Sequence, residues 1–172
     1  MTIYTLTMRQ TERLRPQLAP TLHLEVTSPA GEVTTILDGE FDAHELLTWF
    51  CENEDAIRTE TLPLQQLPGE SIAQSVERVY DSFPDEDTPP EQEIPENILV
   101  AMADVLFDYH ERHNLRRGAR GMNMPLIEIG LGQYGHEISV DDSPNERWCY
   151  LIDIDQFYRD LPASAEPAGW FD

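Results

Sequence analysis

The chain has 172 residues and sets 33 acidic side chains against 11 basic ones, for a formal net charge of −22. All the basic residues are arginines, which excludes enzymes that need a Schiff-base lysine and phosphate loops that need a lysine. Because so acidic a body repels anions, nucleic acid and anionic membranes are excluded as direct partners, and a basic protein surface is favoured.

The first forty residues predict β-strands. Ile3, Leu6 and Met8 alternate only partly with polar residues, a pattern typical of an edge strand. Residues 22–26 alternate cleanly between apolar and polar side chains, and the alternation returns over residues 33–37. The Ser-Pro-Ala-Gly sequence between these two segments predicts a β-hairpin with a three-residue loop.

Three helices are predicted in the centre of the chain. The first begins at Asp42, which is followed three residues later by Glu45 at the spacing of a capping box, and it ends near Asn53. The second covers residues 70–82 and the third covers residues 95–113, both with apolar residues at helical spacing. The proline that opens the third segment suits the first turn of a helix.

An acidic, proline-rich loop is predicted over residues 84–95, between the second and third helices. Its prolines are incompatible with regular structure, and carboxylates occupy most of the positions between them. The stretch from Asp81 to Glu96 contains seven carboxylates and no basic residue. Such a run of like charges predicts an exposed segment.

The C-terminal part predicts an antiparallel β-meander over residues 126–131, 137–140 and 148–152. Residues 130–135 have the G-x-G-x-x-G spacing of dinucleotide-binding loops. No helix is predicted after them, so they are interpreted as a hairpin turn. A short helix over residues 155–161, which Asp153 could cap, and a frayed tail from about residue 163 complete the prediction.

These elements predict an α+β protein with an N-terminal β-hairpin, three central helices, a C-terminal antiparallel β-meander and a short terminal helix. The length and the hydrophobic content of 40% favour one globular domain spanning residues 1–172. Cys51 and Cys149 lie far apart in the sequence and are interpreted as free thiols. No signal peptide and no membrane-spanning apolar run is recognisable, so a cytoplasmic location is predicted.

The carboxylates of the loop and of the last strands are the predicted partner-binding residues. A dense row of carboxylates resembles the phosphates of nucleic acid, and partner arginines would bind it through paired hydrogen bonds. The predicted set is Asp81, Asp85, Glu86, Asp87, Glu91, Glu93, Glu96, Asp141 and Asp142. The expected function is inhibition of a basic protein by occlusion, either as an immunity protein against a toxin or as a phosphate mimic that blocks a nucleic-acid-binding protein.

His110 and His113 provide an alternative from another functional class. Two imidazoles three residues apart on a helix can share a metal ion, which would indicate a metal-dependent enzyme. The sequence shows no third ligand at a fixed spacing and no nucleophile motif. The sequence therefore predicts a protein that is not an enzyme and needs no cofactor or metal.

A further alternative assigns the acidity no specific role. Hosts with GC-rich genomes replace lysine with arginine, and salt-adapted hosts enrich surfaces in Asp and Glu, so the chain could be an accessory domain from such a host. The basic cluster of Arg112, Arg116, Arg117 and Arg120 is interpreted as neutralising carboxylates within the protein.

Overall fold

The computed structural model of the protein describes residues 1–10, 21–40, 43–83, 96–119, 124–142 and 146–164. These ranges contain strands and helices in the order β-β-β, five helices, β-β-β and a last helix. Their bounds are β1 (Ile3–Gln10), β2 (Thr21–Thr27), β3 (Val33–Glu40), α1 (Ala43–Glu52), α2 (Glu54–Thr59), α3 (Ile72–Asp81), α4 (Glu96–His113), α5 (Leu115–Gly118), β4 (Ile127–Gly132), β5 (Gly135–Asp142), β6 (Glu146–Ile152) and α6 (Ile154–Ser164).

All six strands belong to one sheet in the order β3-β2-β1-β6-β5-β4. Each half is an antiparallel meander, and the halves are joined where β1 runs parallel to β6 through the pairs Ile3–Leu151 and Tyr4–Ile152. The prediction of an edge strand for β1 is therefore wrong. This strand pairs on both sides. Its core face carries Tyr4, Leu6 and Met8, whereas Ile3 lies on the other face and is half exposed.

The α+β class and its order of strands, helices, strands and terminal helix are confirmed. The first hairpin has the expected three-residue loop, closed by a hydrogen bond from the Ser28 amide to the Glu32 carbonyl. Gly31 within this loop has a φ of 84°, a conformation that side-chain-bearing residues rarely adopt. The G-x-G-x-x-G segment forms the tight turn between β4 and β5, as interpreted.

The structure adds two short helices, α2 and α5, to the three predicted in the centre. Both are too short for a periodic apolar pattern to indicate them, and Ile57 alone anchors α2 in the core. The last helix extends to Ser164, past the predicted end at Leu161 and into the segment expected to fray. Asp153 caps it as expected, because its side chain accepts a hydrogen bond from the Gln156 amide.

Some predictions fall outside the described residues. The acidic loop over residues 84–95, the predicted cap Asp42 and residues 165–172 of the tail belong to this group. Among the described residues, no helix combines the length and the apolar character needed to cross a membrane.

The main core covers one face of the sheet, where the apolar side chains of both meanders lie. Helices α1 and α6 pack there, and the rings of Phe50 and Phe157 meet edge to face with centroids 4.9 Å apart. The short helix α5 packs tightly against α1, since a Cβ atom at Gly118 would come within 2.7 Å of the Trp49 side chain. Trp49 also donates a hydrogen bond from Nε1 to the Glu111 carbonyl of α4.

The opposite face of β4 and β5 carries polar side chains, and it is nevertheless buried. Helix α3 and the C-terminal turns of α4 cover it, with a small apolar cluster around Ile72, Val76 and Tyr109. The first amides of α3 donate to strand side chains, from Ile72 N to Glu137 Oε1 at 2.6 Å and from Ala73 N to Ser139 Oγ at 3.2 Å. Side chains of the sheet thus accept hydrogen bonds from the first amides of α3, which have no acceptor within the helix.

Ser71 completes the N-terminus of α3 through a full capping box with Gln74. The Ser71 hydroxyl accepts from the Gln74 amide, and the Gln74 side chain accepts from the Ser71 amide. We expect Ser71→Ala to lower the free energy of unfolding by about 1 kcal/mol, the usual effect of removing a serine cap. Urea unfolding at pH 7 measures it. Thr48→Ala, at an exposed position of α1, is the control, and an equal loss in both variants would contradict a specific capping role.

Candidate functional site

Three of the predicted partner-binding residues come together with Glu77 at one end of α3. Asp81 is the last residue of α3, Glu77 lies one helical turn before it, and Asp141 and Asp142 end β5. Partial burial and then the negative charges of Asp81, Asp141 and Asp142 raise the pKa of Glu77. We call these four residues the acidic cluster. The C-terminal end of the α3 dipole adds further negative potential there.

The members of the acidic cluster differ in how free they are to meet a partner. Arg147 binds both oxygens of Asp141, at 3.0 and 2.9 Å, and the Asp141 side chain is only 4% exposed. Asp81 and Asp142 are exposed, and Glu77 is half-buried. Asp81 and Asp142 are therefore the carboxylates that a partner could reach directly.

The other predicted partner-binding residues lie at or outside the limits of the described chain. Asp85, Glu86, Asp87, Glu91 and Glu93 fall outside the described residues. Glu96 is the first residue of α4, and its side chain is not among those described. The loop they belong to leaves α3 within three residues of Asp81, so the acidic cluster and the loop are neighbours along the chain. The partner-binding role of the whole set stays a prediction.

A second surface feature, which the sequence analysis did not identify, is the apolar exposure of α4. Ile98, Val100, Val105 and Phe107 are each between 46 and 53% exposed. The helical spacing of apolar residues predicts an amphipathic helix with one buried stripe. Of the described side chains on that stripe, Leu106 and Tyr109 are buried, Met102 is half-buried and Ile98 is exposed.

A buried polar cluster lies between α4 and the polar face of the sheet. Glu128 of β4 is 1% exposed, and its Oε1 accepts a hydrogen bond of 2.7 Å from Asn114 Nδ2. His110 Nε2 lies 3.2 Å from the same oxygen, without the alignment of a hydrogen bond. Glu128 Oε2 and the Tyr109 hydroxyl are buried with no hydrogen-bond partner in the described part of the chain.

Burial determines the charge state of this cluster. It raises the pKa of Glu128 to about 7, although the hydrogen bond from Asn114 opposes the shift. Burial also lowers the pKa of His110 to about 4, with the charges of Arg117 and His113 acting in the same direction. Between these two values both side chains are uncharged. Glu128 and His110 are therefore a neutral pair at mildly acidic pH.

The two histidines that suggested a metal site face different partners. His110 Nδ1 lies 3.3 Å from the Tyr80 hydroxyl, and its other nitrogen faces Glu128. His113 donates from Nδ1 to the Ile129 carbonyl at 2.8 Å and faces Glu60 through Nε2 at 3.2 Å. No group of three His, Cys, Asp or Glu side chains within the described ranges is arranged to hold a metal ion.

Close packing fixes the position of His113. Its ring stacks on Tyr109 with centroids 3.9 Å apart and an interplanar angle of 8°. Gly130 of β4 makes room for both rings, because a Cβ atom there would lie 2.7 Å from His113 Nδ1 and 3.0 Å from the Tyr109 hydroxyl. The imidazole is thus held by the strand backbone on one side and by a carboxylate on the other.

Two arginines of the basic cluster, Arg112 and Arg117, pair with carboxylates of the protein as interpreted, whereas no ion pair of the exposed Arg116 is found among the described residues. Arg112 makes two hydrogen bonds to Glu60, at 2.8 and 2.7 Å, and these lower the pKa of Glu60. Arg117 pairs with Glu111 at 3.0 Å and also lies over the ring of Phe107, 5.1 Å from its centroid. Arg120 lies outside the described residues.

A cavity of about 420 Å³ lies beside the junction of the two meanders, lined by Ile3, Leu151, His136 and Arg58 among others. The guanidinium group of Arg58, which lines this cavity, pairs with Glu54 and Asp155. His136 donates a hydrogen bond of 2.9 Å from Nε2 to the Arg58 carbonyl.

Both cysteines are free and exposed, as the sequence predicts.

Comparison with family models, with curated proteins and with solved structures finds no match for this chain. The acidic cluster, the exposed apolar side chains of α4 and the buried polar cluster are the structural features that bear on function.

Proposed function

We propose that this chain is a cytoplasmic binding protein that inhibits a basic partner protein by occluding its functional surface. The observation that carries the proposal is the acidic cluster, in which Asp81, Asp141 and Asp142 lie close enough to Glu77 to raise its pKa, while Arg147 pairs with Asp141. Repulsion of this kind is relieved when cations from a partner arrive. The chain acts by binding in this proposal, and catalysis has no part in it.

The net charge of −22 supports the same function through the kinetics of encounter. Opposite charge on a partner speeds diffusional association, whereas a few closely packed contacts hold the complex once it has formed. The two biological forms of such an inhibitor are an immunity protein for a toxin and a phosphate mimic that blocks a nucleic-acid-binding protein. Both require a partner whose functional surface is basic.

The experiment that tests the proposal starts with affinity capture by the tagged full chain from lysate of its own host. Bound proteins are identified by mass spectrometry at low salt and again after a high-salt wash. We expect one basic protein in stoichiometric amount that survives moderate salt. Its purified form should lose activity when the chain is added. A diffuse set of basic proteins that the salt wash removes would contradict the proposal and would leave the acidity as a property of host composition.

We expect the variant Glu77→Gln, Asp81→Asn, Asp142→Asn to associate with the captured partner roughly tenfold more slowly at low salt, with a smaller change in dissociation. The difference should shrink above 0.15 M salt, where the screening length falls below about 8 Å. Stopped-flow fluorescence or surface plasmon resonance measures both rates.

A variant with the same charge change elsewhere is the matched control for the acidic cluster. Glu45, Glu52 and Asp55 are exposed on α1 and α2, whose apolar residues belong to the main core and not to the face covered by α3. Neutralising these three residues alters the net charge equally. If the control slows association as much as the cluster variant does, only the overall charge steers the encounter, and the acidic cluster has no specific part in the interface.

A further inference from the structure

A line of three polar side chains runs from the buried polar cluster to the surface of the protein. Tyr80 of α3 is 39% exposed, and its hydroxyl lies 3.3 Å from His110 Nδ1. The other ring nitrogen of His110, Nε2, lies 3.2 Å from Oε1 of Glu128, which is 1% exposed. The imidazole of His110 therefore lies between a buried carboxyl group and a surface hydroxyl group.

The chemistry of a neutral imidazole connects these two contacts. A neutral histidine carries a hydrogen on one ring nitrogen, which donates, and a lone pair on the other, which accepts. Burial lowers the pKa of His110 to about 4, so the ring is neutral at physiological pH. If the state of Glu128 determines which role Nε2 takes, Nδ1 must take the opposite role toward Tyr80.

Ionised Glu128 requires a hydrogen on Nε2 of His110. A carboxylate only accepts hydrogen bonds, so Nε2 has to be the donor toward Oε1. Nδ1 then has the lone pair and accepts a hydrogen bond from the Tyr80 hydroxyl. Burial raises the pKa of Tyr80, so the hydroxyl keeps its hydrogen for this bond. In this state the Tyr80 oxygen can only accept hydrogen bonds from groups outside the protein.

Protonated Glu128 reverses these bonds. Its Oε2 is buried without a hydrogen-bond partner among the described residues, whereas Oε1 lies beside His110 Nε2. The acceptor that the structure offers to the carboxyl proton is therefore Nε2. Nδ1 then carries the hydrogen of the ring and donates to the Tyr80 oxygen, so the hydroxyl hydrogen is free to bond outward. Because Nε2 and Oε1 are not aligned in this structure, the bond between them forms with a reorientation of the side chains.

We propose that Glu128, His110 and Tyr80 form a switch: the proton on Glu128 selects the tautomer of His110, and the tautomer decides whether the Tyr80 hydroxyl donates or accepts hydrogen bonds at the surface. Burial raises the pKa of Glu128 to about 7, so the two states exchange near neutral pH. A change in one buried proton is thus transmitted to the surface by the reversal of two hydrogen bonds.

The surface end of the switch lies beside the acidic cluster. Glu77 precedes Tyr80 by three residues in α3, and its charge contributes to the raised pKa of Tyr80. Guanidinium and ammonium groups only donate hydrogen bonds, so the state with ionised Glu128 is the one complementary to a basic partner. This consequence alone rests on the proposed function, whereas the switch itself is a property of the isolated chain.

Several other charged or titratable groups face the switch. Arg117 of α5 acts on both buried residues, because its positive charge lowers the pKa of Glu128 and that of His110. It therefore favours an ionised carboxylate beside a neutral imidazole over an imidazolium ion. The remaining groups act on one member of the switch or on Tyr109 beside it, and they are His113 on α4, Glu77 on α3, Glu137 on β5 and Glu60 after α2.

Nuclear magnetic resonance of the full chain, labelled with ¹⁵N in histidine and ¹³C at glutamate side chains, tests the switch between pH 5.5 and pH 8.5. The ¹⁵N shifts of the ring show which nitrogen carries the hydrogen. We expect His110 to change from the Nδ1–H to the Nε2–H tautomer, with the same midpoint as the Glu128 carboxyl resonance. His113 is the internal control, because its Nδ1 donates to the Ile129 carbonyl and its tautomer should stay the same.

Two variants establish the direction of control. Glu128→Gln has no proton to lose, so the His110 tautomer should not change between the two pH values. Tyr80→Phe should retain the change, because the carboxyl group and not the hydroxyl selects the tautomer. A single His110 tautomer throughout, an imidazolium ion at neutral pH, or a change that persists in Glu128→Gln would each overturn the inference. The measurement needs no partner, so its failure is distinct from failure to capture a basic protein.

Discussion

The variant Glu128→Gln should be more stable than the wild type at pH 8 by about 3 kcal/mol and nearly equal to it at pH 4. The carboxyl group has an ordinary pKa of 4.5 and a folded pKa of about 7 because it is buried. Between these values the folded state holds a proton that the unfolded chain releases. Stability therefore falls as the pH rises from the lower pKa to the higher one, by about 1.4 kcal/mol for each pH unit. Glutamine is neutral throughout and removes the loss.

Urea unfolding of both proteins at intervals from pH 4 to pH 8 measures the effect as a difference between two curves. Contributions from groups that do not contact Glu128 largely cancel in the difference, whereas His110 lies 3.2 Å from Glu128 and is coupled to it. Glu52→Gln on α1 is the matched control, because it removes one carboxylate from an exposed position. The two variants together separate burial of a carboxyl group from the general repulsion of a chain with a net charge of −22.

A flat difference for Glu128→Gln would contradict the assigned charge state. It would mean that the carboxyl group titrates in the folded state near its unfolded value, because only a difference between the two pKa values makes stability depend on pH. Carboxyl chemical shifts of protein labelled with ¹³C at glutamate side chains provide an independent readout. A resonance that titrates near pH 7 supports the neutral acid.

Replacement of Glu137 by alanine should cost on the order of 3 kcal/mol of stability. Glu137 is 1% exposed, and its Oε1 accepts hydrogen bonds from the Ile72 amide at 2.6 Å and from the Ser139 hydroxyl at 3.1 Å. Alanine leaves the buried amide at the start of α3 without an acceptor and creates a void beneath the helix. Each effect typically costs between about 1 and about 3 kcal/mol.

Glu137→Gln distinguishes the hydrogen bond from the charge. Glutamine keeps an acceptor for the Ile72 amide and nearly the same volume, so its cost should stay near 1 kcal/mol. Urea unfolding at pH 7 measures both variants. Hydrogen exchange of the first amides of α3 should accelerate strongly in Glu137→Ala and little in Glu137→Gln. Equal losses in the two variants would show that the negative charge at the helix N-terminus, and not the hydrogen bond, anchors α3.

For the candidate site, the sequence led to Asp81, Asp141 and Asp142 but not to Glu77. Helical spacing from Asp81 was a signal for Glu77, because residues four apart share a helix face. No local pattern predicts that the end of α3 lies near the end of β5, because these two segments are sixty residues apart in the sequence. The exposed part of α4 escaped prediction for a related reason. An apolar composition predicts that a helix surface is buried by other parts of the chain. It does not show which of these side chains the rest of the chain leaves exposed.

Local patterns in the sequence determined the secondary structure and the fold class. Alternation over residues 22–26 and 137–140 predicted strands, and the glycines at 31 and 135 marked turns, because side-chain sterics act between near neighbours. Only the tertiary structure decided that β1 joins the two meanders in parallel with β6, and that Glu128, Glu137 and His110 are buried. Strand alternation assigns such polar residues to the face opposite the core, and it cannot tell whether water or a helix covers that face. Packing of α3 and α4 over the second face of β4 and β5 removes the water, and desolvation then raises the pKa of Glu128 and lowers that of His110.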